Sequence, residues 1–92
     1  ISRKQLEESR HVVHLFEERL LPVARAEIEA ARAGFAASRN PFVAVVEAER
    51  NLRALELDYQ RARADCDHQN AELERALGHI PGLSGEGEED GR

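Results

Sequence analysis

Two long stretches of this chain carry apolar residues at alternating steps of three and four, the spacing of one helical face, and a short polar turn separates them. In the first stretch Leu6, Val13, Phe16, Leu20 and Val23 share a stripe. It then continues through Ala24, Ile28, Ala31 and Phe35, displaced by one residue. In the second stretch Val45, Ala48, Leu52, Leu55, Tyr59, Ala62, Cys66, Gln69, Leu73 and Ala76 hold the pattern throughout, a seam of coiled-coil type. A second stripe of Val46, Leu57, Ala64 and Ala71 runs along another flank. One seam serves a partner inside a hairpin. Two predict a helix with neighbours on both sides, as in a bundle or ring, although surface Ala also follows from helix propensity alone.

The turn is Gly34-Phe35-Ala36-Ala37-Ser38-Arg39-Asn40-Pro41. Asn40 suits an N-cap and Pro41 the first helical position, where its missing N–H goes unused. The predicted fold is therefore all-α: a long antiparallel two-helix hairpin, coiled-coil-like. Helix one covers 1–38, the tip turn 39–41, helix two 41–78, and a flexible acidic tail 79–92. Ser2 and Gln5 form a capping box at the start, with Ile1 and Leu6 placed as its hydrophobic staple. Pro22 predicts a kink or break near Leu21, since an interior Pro loses a hydrogen bond and crowds the preceding turn. A kink is preferred, because helix two needs a partner of its own length. Gly78 suits the C′ position closing helix two, with Pro81 shortly after.

Composition agrees with packing through narrow seams. Aromatic residues make up 4% and charged residues 34%, with neither Trp nor Met. The absence of an initiator Met suggests a piece of something larger. The formal net charge is −5, but four acids and one Arg lie in residues 79–92, so the helical part holds 14 acidic and 12 basic residues. This is no nucleic-acid patch and no polybasic membrane anchor. No apolar run reaches the roughly 18 residues needed to span a bilayer, and none reads as a signal peptide, so any membrane connection lies outside this segment. The single Cys66 excludes an internal disulfide.

Four His and one Cys raise a metal site. In a hairpin turning at residues 38–41, facing residue numbers sum to about 80. Ile28 then faces Leu52, and His14 lands near Cys66, with His11 one turn away and His68 close by. Imidazole and thiolate suit Zn and Cu, yet a tight site needs three or four converging ligands, and only His14 and Cys66 are placed. Surface His and a core Cys are the simpler reading. Cys66 also lacks an identifiable base or oxyanion donors. Pairs such as Glu49–Arg53 and Glu29–Arg32 read as helix-surface ion pairs. No enzyme activity and no cofactor are predicted.

Several segments, in order, resemble the TolC-like outer-membrane efflux protein family. They are Leu20-Leu21-Pro22, Gly34-Phe35-Ala36-Ala37-Ser38, Val45-Val46-Glu47-Ala48-Glu49-Arg50, Leu52 to Tyr59, and Ala71-Glu72-Leu73-Glu74-Arg75-Ala76-Leu77-Gly78. The family's corresponding signatures are Leu-Pro, Gly-Tyr-x-x-Gly, Val-Leu-Asp-Ala, Leu-x-x-Ala-x-x-x-Tyr and the end of its last long helix. The resemblance spans about residues 15–78. It implies the second helical hairpin of the periplasmic tunnel of a trimeric outer-membrane duct, a fragment of an α-helical barrel. The turn would be the periplasmic tip, meeting a periplasmic adaptor protein and, through it, an inner-membrane pump of a heavy-metal or multidrug system.

The tip residues Phe35, Ser38, Arg39 and Asn40 become candidate adaptor contacts, and Glu47 a candidate pore-entrance acid. Three departures stand out. Ser38 occupies the place of the second Gly, Phe35 that of the Tyr, and Ala44 that of an acid some members carry. Two other readings remain: the hairpin of a periplasmic adaptor or generic assembly module, and a metal-binding periplasmic module.

Overall fold

The structure is a computed structural model that describes residues 2–78. The chain forms two antiparallel helices joined at a tight tip, a rod of 68 × 23 × 16 Å. Helix one consists of α1 (Arg3–Leu15), a π-helical turn (Phe16–Leu20) and α2 (Leu21–Ala36), run together without a gap. Helix two is α3 (Phe42–Gly78). The predicted staple on Ile1 and the tail at 79–92 lie outside the described residues.

The capping box closes the start of α1 as expected. The Gln5 N–H donates to Ser2 Oγ and the Ser2 N–H donates to Gln5 Oε1, both at 3.1 Å. Farther along, the helix neither breaks nor simply kinks at Pro22. Pro22 has no N–H and its ring crowds the carbonyl four residues back. The turn before it widens to π geometry, with the Leu21 N–H donating to the Phe16 carbonyl five residues earlier.

That widened turn explains the displaced stripe. A π-turn holds one residue more than the regular repeat, so it advances the face by one position. Leu6, Ser9, Val13, Phe16 and Leu20 face α3 before it, and Leu21, Ala24, Ile28, Ala31 and Gly34 after it. The switch falls one step earlier than the apolar pattern indicated. Leu21 is buried, whereas Val23 is 56% exposed and Phe35 47% exposed.

On α3 the predicted seam from Val45 to Leu73 is buried or half-buried throughout, while Ala76 is exposed and Leu77 turns inward instead. The register follows the turn: Ser9 donates to Gln69, Arg10 to Asn70, and Arg32 reaches Glu49 at 2.8 Å. Arg32 thus pairs across the hairpin rather than with Glu29 on its own helix, and Glu49 with Arg32 rather than Arg53.

The seam is graded. In the tip half it is apolar, with Leu21, Ala24, Ile28 and Val45 all buried. Toward the open end it mixes the half-buried Val13, Phe16, Leu73 and Leu77 with the Ser9–Gln69 and Arg10–Asn70 pairs, and Leu6 is the one buried residue of α1. Full burial of apolar side chains is therefore concentrated in the tip half, with Leu6 the exception at the open end.

Candidate functional site

The tip is built from the end of α2 and the start of α3. Ala37 closes α2 at φ −91°, ψ 9°, and Ser38 then takes a left-handed φ of 60°. The Ser38 N–H donates to the Phe35 carbonyl at 3.0 Å and the Arg39 N–H to the Gly34 carbonyl at 2.7 Å. These two bonds make a Schellman motif with Ser38 at C′, the position where glycine is usual. A side chain there costs about 1–2 kcal/mol relative to right-handed backbone. Helix one ends at Ala36, two residues before the predicted boundary.

Asn40 does not cap α3. Its amide Nδ2 donates back to the Ala31 carbonyl at 3.1 Å and weakly to the Pro41 carbonyl at 3.4 Å. The side chain therefore ties the turn to α2, and Pro41 precedes the first residue of α3, Phe42. The physical reason is the close approach of Gly34. The Asn40 amide lies where a Cβ on residue 34 would be, so only glycine leaves room for it.

These constraints present a small, mostly apolar surface to solvent. Phe35 and Phe42 meet edge-to-face, ring centroids 5.3 Å apart with planes at 65°, yet are 47% and 56% exposed. Val43 beside them is 54% exposed. Phe35, Ser38, Arg39, Asn40 and Pro41 line a shallow hollow at the very end. Of the four predicted tip residues, Phe35, Ser38 and Arg39 are exposed, while Asn40 is half-buried and structural. Among the described residues Arg39 has no carboxylate within ion-pair distance. Phe42 is a tip residue that the apolar pattern does not single out. Its signal was an aromatic residue directly after Pro41 and off the Val45–Ala48 seam.

Glu47 is exposed on α3, and Ala44 is half-buried. The structure does not bring His14 and Cys66 into a ligand set. The His14 side chain is 63% exposed and faces Glu17 at 3.7 Å and Glu18 at 3.9 Å, Cys66 is half-buried in the seam, and His68 pairs with Glu72 on its own helix at 3.1 Å. Among the described residues no three His, Cys, Asp or Glu side chains converge on a metal-sized site.

A second cluster lies at the π-turn. Tyr59 of α3 donates its hydroxyl to Glu17 Oε2 at 2.5 Å. Its ring packs on Phe16 at 6.1 Å, and the Arg63 guanidinium sits 5.9 Å from the ring centroid. The hydrogen bond to Glu17, aided by partial desolvation, raises the Tyr59 pKa above its ordinary 10.0, with Arg63 opposing. Leu21, Arg25, Tyr59 and Arg63 line an open groove of about 610 Å³ beside it. Glu56 and Asp67 on the same lining balance Arg25 and Arg63, so the groove selects neither an anion nor a cation.

No helix among the described residues is long and apolar enough to cross a membrane. Comparison with known proteins gives no match to a family model, a curated protein or a solved structure.

Proposed function

We propose that the chain is a hairpin from the wall of a periplasmic α-helical tunnel, part of a trimeric outer-membrane efflux duct of the TolC-like kind in a Gram-negative envelope. The observation that carries this reading is the set of large apolar side chains left outside the hairpin's own seam. Val12, Leu15 and Val23 on helix one and Leu57 on helix two are 39–56% exposed. Such side chains suit a helix pair with further helices beside it. A second group, Phe35, Phe42 and Val43, is gathered at one end beside Arg39. It suits docking of a separate protein, here a periplasmic adaptor linked to an inner-membrane pump.

The role is passive. The hairpin forms wall along its length, copies of it meet through the outer apolar stripes, and the tips close the entrance until adaptor contact separates them. Glu47 is the acid available to narrow that entrance. Because the tip patch also suits the arm of an adaptor, a second reading makes the chain that arm. β-rich sequence flanking it on both sides in the parent protein would favour this alternative.

The test is export by the parent protein. Deleting its gene should sensitise cells to divalent metals or to drugs and detergents, and the parent gene carrying Phe35→Ser and Arg39→Glu should fail to restore growth. Unchanged sensitivity, or full rescue by the tip variant, would overturn the reading. Selective metal sensitivity would identify a heavy-metal exporter.

A further inference from the structure

Helix one contains two seams that an unbroken α-helix could not present to α3 together. Carried backward at 100° per residue, the seam of α2 would turn Glu17, His14, Arg10 and Glu7 toward α3. The seam packed against α3 is Leu6, Ser9, Val13 and Phe16, with the exposed Arg10 and Glu17 reaching Asn70 and Tyr59 from its edge. The π-turn reconciles the two phases, and it does so where Pro22 has already removed a backbone donor. The joint is therefore the place in helix one where the hydrogen-bond ladder is weakest.

The two sides of this joint are held unequally. Beyond it the tip half buries Leu21, Ala24, Ile28 and Val45. Before it the open half fully buries only Leu6, half-buries Val13, Phe16, Leu73 and Leu77, and adds polar rungs that water can replace. The π-turn itself meets α3 through the half-buried Phe16 and Leu20, and through one hydrogen bond that Tyr59 donates to Glu17. Removing the joint by rotating α1 into phase with α2 would put Glu7 and His14 on α3 in place of Leu6, Val13 and Phe16, so the motion considered is separation.

We propose that the π-turn Phe16–Leu20 is a hinge at which α1 swings away from α3 while the tip half stays closed, and that the Glu17–Tyr59 hydrogen bond is its latch. This inference concerns the hairpin itself and stands apart from any export role.

The experiment measures spin-label distances in the 92-residue chain carrying Cys66→Ala. One label pair sits at Glu8 and Glu72 on the open half, the other at Ala30 and Asn51 on the tip half; all four positions are exposed. The open pair should show a distance distribution about twice as wide as the tip pair. Tyr59→Phe removes only the hydroxyl and should widen the open pair further, leaving the tip pair unchanged. Deleting Pro22 removes both the extra residue and the helix breaker, and should narrow the open pair to the tip pair's width.

Equal widths in the parent chain would overturn the proposal. So would a Tyr59→Phe effect that is absent or that spreads equally to both pairs. A Pro22 deletion that leaves the open pair wide, or that fails to fold, overturns it as well, because the deletion makes the seam continuous.

Discussion

Ser38 is the residue whose side chain and backbone disagree most openly. At φ 60° it occupies the left-handed region without the freedom of glycine. Ser38→Gly should stabilise the hairpin by about 0.5–1 kcal/mol, since relief of the left-handed strain exceeds the extra backbone entropy glycine loses on folding. Urea unfolding checks this, and a loss of stability would show that the Ser38 side chain contributes something the geometry does not record. Gly34 is the opposite case. Gly34→Ala places a methyl group against the Asn40 amide and should cost about 1–3 kcal/mol. In an Asn40→Ala background the same change should cost much less, because the clashing group is gone. Equal costs in both backgrounds would mean the close approach is unimportant.

Tyr59 offers a titration at the same scale. It is the sole Tyr, and the chain has no Trp, so its phenolate absorbance is read cleanly. Glu17→Gln should lower its pKa toward 10.0, since the carboxylate's hydrogen bond is the main cause of the elevation. The folded pKa exceeds the unfolded one. The associated stability is therefore present below pH 10 and is lost as pH rises through the folded value. A titration unmoved by Glu17→Gln would mean the bond is not formed in solution.

Among the elements, helix one is where sequence and structure inform each other best. The capping box at Ser2, both helices and their register were legible because each rests on local spacing. The π-turn was visible only as a one-residue slip in the apolar stripe. Pro22 alone suggests a kink; Pro22 and the slip together require an added residue in one turn. It follows that deleting Pro22 should leave the hairpin folded and raise its stability by about 1–3 kcal/mol, as an interior Pro costs about 3. Thermal unfolding reads this, and a lower Tm would reject it. The site was less legible than the fold. Asn40 has the residue type of an N-cap, but which helix it serves depends on how closely the turn passes Gly34, a tertiary fact. Phe42 was hidden because its partner Phe35 lies on the other helix. His14 and Cys66 come from the correct register, yet His14 turns out to Glu17 and Glu18.

For the whole molecule the governing fact is thinness. With two helices and a width of 16–23 Å, no large side chain among the described residues is fully buried. In isolation the chain should self-associate through the stripe containing Val12, Leu15 and Val23, and Leu15→Glu with Val23→Glu should return it toward a monomer. Light scattering at high concentration checks both statements, and a monomer in the parent chain would remove the case for helices alongside.

The grading of the seam also has a mechanical meaning. Pulled apart at Ser2 and Gly78, such a rod does not fail everywhere at once. It opens like a zipper from the free ends, past Leu6 and the water-replaceable rungs and then past the Phe16–Tyr59 contact. The force climbs as Leu21, Ile28 and Val45 come under load. The tip is the last part to yield, so a load-bearing attachment belongs there, while the open end follows whatever it is joined to.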